Sequence, residues 1–186
     1  MKTTITAFLL CLSCAAAAGA QNIQIAGQYL FQHAHTVGNQ NMYLNGGRAD
    51  VAVGLKRHFA LVGEFAGVYA NGQGVNGEVY TYLGGLRYQR PIVSERKPTR
   101  AAPFMQFLVG GAYATNGAFP KNGQLQSNAN SFAYSASGGM DIKLNRMLAL
   151  RVVQADYLFS QLPNLVGTHQ SNLRLGIGIV FTLKEK

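Results

Sequence analysis

The last forty residues contain the feature that most restricts what this chain can become. From residue 172 to 183, Leu173, Leu175, Ile177, Ile179, Phe181 and Leu183 alternate with Asn172, Arg174, Gly176, Gly178, Val180 and Thr182. Successive side chains of a β-strand point to opposite faces, so this period of two predicts a strand with one face wholly large and apolar. A helix would scatter the same residues around its circumference. Residues 131–144 repeat the pattern: Phe132, Tyr134, Ala136, Gly138, Met140, Ile142 and Leu144 share one face, with Ser131, Ala133, Ser135, Ser137, Gly139, Asp141 and Lys143 on the other. Weaker versions recur at residues 23–35, 43–55, 59–70, 79–89, 102–115 and 148–160. Eight strands of roughly 11–14 residues are long for a globular sheet. They slightly exceed the ~9–11 residues that a tilted strand needs to cross a bilayer.

The breakers agree with this map. Pro91, Pro98, Pro103, Pro120 and Pro163 fall in turns or at a strand start, where no central ladder hydrogen bond is lost. Glycine pairs sit within strands instead, at Gly46-Gly47, Gly84-Gly85, Gly110-Gly111 and Gly138-Gly139; a narrow barrel uses glycine to bend sharply and to make room across its lumen. Connections alternate between tight turns (56–58, 145–147) and longer Asn/Gln/Gly-rich loops (36–42, 71–77, 116–129, 161–170). The long connection at residues 90–101 is the exception on the short side. This is the rhythm of an all-β, eight-stranded antiparallel up-and-down transmembrane β-barrel.

Charge decides which face is inside. Only 12% of the chain is charged, with a net charge of +9, against about 25% charged residues in a typical soluble domain. The charges within strands are Arg48, Asp50, Glu64, Arg87, Asp141, Lys143, Arg151, Asp156 and Arg174. All but Arg151 share the face of the small and polar residues. Outward exposure of the apolar face to water would cost about 1.5–3 kcal/mol per large side chain, and lipid removes that cost. The charged face is therefore expected to line the lumen as a network of Arg48, Asp50, Glu64, Arg87, Asp141, Lys143, Asp156 and Arg174, since buried charges must pair. Asp156 and Arg174 are expected to be cross-strand neighbours. Arg151 is out of phase, which a bulge would correct, unless its side chain snorkels to the interface. Tyr29, Tyr69, Tyr80, Tyr82, Tyr113, Tyr134 and Tyr157 are placed toward the outer strand ends as an aromatic girdle. Side chains largely fill an eight-stranded interior, so a wide pore is not expected.

The N-terminus reads as an address. Lys2 precedes an apolar stretch over residues 5–18, too short to span a membrane as a helix. Ala18-Gly19-Ala20 then offers a small-x-small cleavage site before Gln21. Residues 1–20 are thus expected to form a helical signal peptide, with cleavage between Ala20 and Gln21, and residues 21–186 the barrel domain. Cys11 and Cys14 both fall in the leader, which leaves the exported part no disulfide or thiolate metal site.

The signal peptide, the eight-strand rhythm, the final segment Asn172-Leu173-Arg174-Leu175-Gly176-Ile177-Gly178-Ile179-Val180-Phe181 and the stretch Gln154-Ala155-Asp156-Tyr157 together resemble the outer-membrane β-barrel domain family of OmpA-like, OmpX-like and opacity-type surface proteins. The resemblance covers residues 21–186 and implies a monomeric barrel in the bacterial outer membrane, exported by its signal peptide. It also implies outer-membrane lipid and lipopolysaccharide as surroundings and the barrel assembly machinery as a partner during insertion. Two departures stand out. The family's last strand often ends the chain on an aromatic, whereas Leu183-Lys184-Glu185-Lys186 follows Phe181 here. No peptidoglycan-binding domain of the OmpA kind is expected after the barrel.

A search for chemistry yields little. His169-Gln170-Ser171-Asn172 has the His-x-Ser-Asn order of the lipid A deacylases that resemble this fold, and His and Ser two apart share a strand face. The third member is missing: the only later acid is Glu185, and Glu78 would have to reach across loops. His33, His35 and His169 fall near the outer rim, but no carboxylate or cysteine joins them, so they read as polar rim residues rather than metal ligands. The glycines between residues 72 and 77 lack a following helix and a lysine, so they cradle no phosphate. No catalysis, cofactor or metal is expected, and export separates the basic chain from nucleic acid. A structural or surface-interaction role leads the reading, with a narrow channel and a secreted soluble ligand-binding barrel as alternatives. By this map Lys121 and Glu78 face outside the cell. Lys56, Arg57, Arg90, Arg96, Lys97, Arg100, Arg146, Lys184 and Lys186 oppose Glu95 and Glu185 on the periplasmic side. The basic balance is thus a basic rim on a nearly neutral barrel.

Overall fold

A computed structural model describes residues 22–36, 40–55, 57–69, 77–92, 100–115, 119–121, 124–162 and 170–183. Ten strands follow one another: β1 (Ile23–Thr36), β2 (Gln40–Gly54), β3 (Phe59–Tyr69), β4 (Glu78–Gln89), β5 (Ala101–Thr115), β6 (Phe119–Lys121), β7 (Gln124–Gln126), β8 (Ala129–Lys143), β9 (Leu148–Ser160) and β10 (Gln170–Leu183). Eight of them close into one antiparallel barrel in the order β1-β10-β9-β8-β5-β4-β3-β2. The short strands β6 and β7 pair only with each other and form a hairpin arm in the β5–β8 connection. Sequence patterning did not predict it, because its segment is polar and too short to show a period.

Closure joins the first strand to the last, from Ile23↔Leu183 to Ala34↔Asn172. Both described chain ends therefore lie at one end of the barrel, called here the terminal end. The other is called the loop end; its β3–β4, β5–β8 and β9–β10 connections are long, but β1 and β2 are joined by residues 37–39 alone, shorter than the loop expected over 36–42. At the terminal end the β2–β3 and β8–β9 turns are tight, whereas residues 90–100 join β4 to β5 there. The Asn145 side-chain carbonyl accepts from the backbone N–H groups of Met147 and Leu148, both at 2.8 Å, an Asx-type turn that reverses the chain in few residues.

The period of two has become two surfaces. Leu173, Leu175, Ile177, Ile179, Phe181 and Leu183 all point outward, each 45–60% exposed. Met105, Phe107, Phe65, Leu86 and Phe132 continue that belt around the barrel. Arg174 and Val180 on β10 are buried inside. A water-facing surface this apolar would far exceed the patches that soluble monomers tolerate.

Glycines let the sheet curl this tightly. A Cβ on Gly46 would lie 1.9 Å from the carbonyl oxygen of Gly67 on β3, whereas one on Gly47 would meet nothing closer than 3.8 Å. Of that pair, only Gly46 is demanded by close backbone approach. Gly111 has a different reason: the Tyr82 ring of its cross-strand partner lies flat over it, 2.5–2.6 Å from where a Cβ would sit. An aromatic ring shielding a cross-strand glycine restores apolar contact that glycine cannot make itself. Tyr82→Ala is expected to lower unfolding stability in detergent by about 1 kcal/mol, the scale of a cross-strand aromatic pair, read from a urea melt; no change would show the ring to be idle.

Candidate functional site

Most inward-facing side chains form two layers, with a small apolar cluster of Ala26, Ala149 and Val180 closing the terminal end. The layer nearer the terminal end is ionic. Gln28 on β1, Arg48 and Asp50 on β2, Glu64 on β3, Arg87 on β4, Gln106 on β5, Asp141 on β8, Arg151, Gln154 and Asp156 on β9, and Arg174 on β10 are all buried. Each but Arg151 reaches the lumen because its strand alternates in the same phase.

The contacts interlock. Asp50 accepts from Arg87 at 2.8 Å, from Arg151 at 3.1 Å and from Gln28 at 3.0 Å. Asp141 takes a two-pronged contact from Arg151, at 2.7 and 3.1 Å, and a third bond from Gln89 at 3.0 Å. Glu64 sits between Arg174 at 3.1 Å and Arg48 at 3.5 Å. Asp156 accepts from Arg48 across the lumen and from Gln154 at 2.8 Å, with Arg174 at 3.4 Å. Arg174 also donates to Thr81 at 3.3 Å. Arg87 and Arg151 lie over the Phe104 ring, 4.9 and 4.4 Å from its centre, where the negative ring face favours a cation. Arg174 and Asp156 are indeed cross-strand partners, yet Arg48, from the opposite wall, approaches Asp156 more closely.

Two residues depart from the expected set. Lys143 is in phase but exposed: it is the last residue of β8, beyond the packed layer, and leaves the network. Arg151 enters it fully buried. Between Arg151 and Gln154, β9 carries one residue more than β10 opposite, where Gly178 faces Arg151 and Gly176 faces Gln154. Against β8, Met140 pairs with Val153 and Asp141 with Arg151. Val152 is thus the extra residue of a bulge, and it turns Arg151 inward. Four arginines now face four carboxylates, so the layer is neutral. The inward-phase glutamines and Phe104 complete it. Their signal in the sequence was a run of polar or bulky residues on the small-residue face.

The layer nearer the loop end is mainly apolar, with Gln32, Ser160 and Asn172 also buried in it. Leu83, Leu108, Leu158, Leu162, Val62, Ala112, Ala114 and Ala133 form one cluster, and Leu30, Leu44, Ala66 and Val68 another. The large apolar side chains in this half of the lumen depart from the small and polar interior expected. Its leucines sit beside outward aromatics in sequence, as Leu30 does between Tyr29 and Phe31, so the two faces cannot be told apart there by polarity.

Tyr69, Tyr80, Tyr82, Tyr113, Tyr134 and Tyr157 lie on the outer face toward the loop end of their strands. Tyr29 does not share that level. It pairs with Gly47 and Ile177 near the middle of β1, because β1 continues to Thr36. Tyr43, stacked on Phe31 at 5.6 Å, stands nearer that rim instead. Ser171 accepts from the Tyr157 hydroxyl at 2.8 Å on the outer face. His33 lies beside Tyr43, ring centres 5.2 Å apart. His169, Ala20, Gln21, Glu95 and Glu185 lie outside the described residues, as do the side chains of His35 and Lys121. Among the described residues no group of three His, Cys, Asp or Glu could hold a metal. At the terminal end a cavity of about 720 Å³ opens outward, lined by Gln24, Arg100, Lys143, Asn145, Arg146 and Thr182 among others.

No protein-family model matches the sequence, and no curated protein does. Solved structures do match in fold. Neisserial surface protein A superposes with a TM-score of 0.62 at 8% identity, over 88% of this chain and 97% of that one. The attachment invasion locus protein Ail of Yersinia pestis gives 0.56 at 12% identity, over 88% and 99%. The outer membrane protein OprG of Pseudomonas aeruginosa gives 0.57 at 11% identity, over 89% and 97%. The closed antiparallel topology and these superpositions give one conclusion: the chain has the fold of the eight-stranded outer-membrane β-barrels.

Proposed function

We propose that the protein is an integral outer-membrane barrel without enzymatic activity, closed to diffusion, that serves a structural or surface-interaction role through its loop end. The observation that carries this reading is the inversion of the two surfaces. Large apolar side chains face out, and the charged residues of the strands' core face in and pair. Such a barrel is stable in lipid and unstable in water. The loop end then faces outside the cell and the terminal end the periplasm. Outer-membrane lipid and lipopolysaccharide surround the belt, and the barrel assembly machinery inserts it. The surface-interaction part draws support from fold neighbours named as surface and attachment proteins. The absence of catalysis draws support from Ser171, whose hydroxyl is engaged by Tyr157 on the outer face.

Two stacked layers, one apolar and one ionic, argue against conduction. The protein is expected to require detergent, to migrate differently on gels before and after heating, and to give no stepwise current in a planar bilayer. Discrete single-channel steps would establish the narrow-channel alternative, and a protein soluble in plain buffer would sink the membrane reading.

A further inference from the structure

The terminal end carries a continuous arc of bases. Arg57 stands in the β2–β3 turn, Arg90 at the end of β4, Arg100 at the start of β5, Lys143 at the end of β8 and Arg146 in the β8–β9 turn, all exposed. Backbone hydrogen bonds tie these positions edge to edge. Gln89, next to Arg90, donates to the carbonyl of His58, next to Arg57, at 2.9 Å. Arg90 donates to Pro103 at 3.1 Å, and Lys143 to Arg100 at 2.8 Å. The bases are therefore neighbours around the rim, not isolated charges on mobile tips.

No acid opposes them among the described residues of that end. The nearest described carboxylate, Asp141, is buried beneath and taken up by Arg151. Beside the bases stand exposed apolar side chains: Phe59 at 50%, Ile92 at 46%, Leu144 at 50% and Met147 at 59%. The loop end offers no such arc, since its described side chains include Glu78 and no lysine or arginine. Guanidinium groups interleaved with exposed apolar side chains fit a ligand that is anionic at its head and hydrocarbon behind it. A soluble anion would need the bases but not Phe59, Ile92 or Met147.

We infer that the rim formed by Arg57, Arg90, Arg100 and Arg146, with Phe59, Ile92 and Met147, binds anionic phospholipids of the periplasmic leaflet through their phosphate headgroups. The inference rests on the membrane-barrel reading above. Arginine grips phosphate oxygens with paired donors, and each base near an anionic surface multiplies lipid partition by about fivefold.

The test uses protein extracted from membranes in mild detergent. Native mass spectrometry compares retention of phosphatidylglycerol with that of phosphatidylcholine. The wild type is expected to retain the anionic lipid on the order of tenfold better, less so in high salt. The variant carrying Arg57→Gln, Arg90→Gln, Arg100→Gln and Arg146→Gln is expected to lose that preference while keeping its heat-dependent gel shift. None of these residues belongs to the buried ionic layer, and Arg57→Gln with Arg146→Gln alone, both in turns, serves if the fourfold variant fails to fold, with a partial loss expected. Equal retention of both lipids by the wild type would overturn the inference. So would a preference that survives in a folded variant. Equal displacement of the lipid by inorganic phosphate would reassign the rim to a soluble anion. The gel shift and the need for detergent report on the membrane reading separately.

Discussion

Asp50→Ala is expected to destabilise the barrel by about 3–5 kcal/mol, the cost of leaving a buried charge without its partner. Asp50 is where three donors converge, Arg87, Arg151 and Gln28. Its loss does not fall equally on them. Arg151 keeps its paired contact with Asp141, whereas Arg87 has no other carboxylate partner among the described residues and retains Gln106 at 2.9 Å and the Phe104 ring. The stranded cation is therefore Arg87. A second change, Arg87→Met, made in the Asp50→Ala background, is expected to recover most of the loss, because an uncharged side chain of similar length no longer needs solvation. Urea unfolding in lipid vesicles, followed by the heat-dependent gel shift, measures both. Additive losses in the double variant would show that the two residues do not depend on each other.

The second large effect concerns backbone. Gly46→Ala would drive a methyl group to 1.9 Å from the Gly67 carbonyl oxygen and 2.7 Å from Val68 Cα. Both obstacles are main-chain atoms of β3, so relief requires moving a strand rather than a rotamer. We expect a loss of about 3 kcal/mol, the upper part of the range for overpacking, or failure to refold. Gly47→Ala, one residue on, meets only the Gln28 carbonyl oxygen at an ordinary 3.8 Å and is expected to stay within about 0.5 kcal/mol of wild type. The comparison holds chain position and chemistry nearly constant and isolates strand proximity. Refolding yields into vesicles, read on an unheated gel, decide it; equal yields would mean that β2 and β3 stand farther apart than the close approach at Gly46 requires.

Sequence alone made the eight long strands and their outward faces legible, because lipid and lumen impose opposite polarities on alternate residues. The strand bounds shifted by only a few residues: β1 runs one beyond residue 35, and β2 begins at Gln40 rather than 43. What stayed hidden needed three dimensions. Asp156 and Arg174 can be matched by counting back from one turn, but Arg48 meets Asp156 only through the curvature that brings opposite walls together. Arg151 announced a bulge by breaking phase, without showing that Val152 was the residue to be set aside. Lys143 kept phase yet fell outside, since periodicity says which way a side chain points and not where the packed layer stops. The outward glycine at Gly111 and the inward one at Gly46 look alike as letters. One is shielded by a ring and the other is required by a neighbouring strand.

The ionic layer also sets the order in which the barrel can come into being. Its cross-lumen pairs are far apart along the chain: Arg48 and Asp156 are separated by 108 positions, Glu64 and Arg174 by 110, and Asp50 and Arg151 by 101. Within the first three strands Arg48 and Glu64 can meet, at 3.5 Å, but Asp50 waits for Arg87 on β4 and Arg151 on β9, and the other contacts of Arg48 and Glu64 wait for Asp156 on β9 and Arg174 on β10. A partly assembled sheet would hold arginines and carboxylates with missing partners, facing lipid or a half-open groove. The layer thus acts as a checkpoint on assembly. Incomplete forms carry their own penalty, long-range contacts make the search slow, and the last strand brings Arg174 to Glu64 of the third.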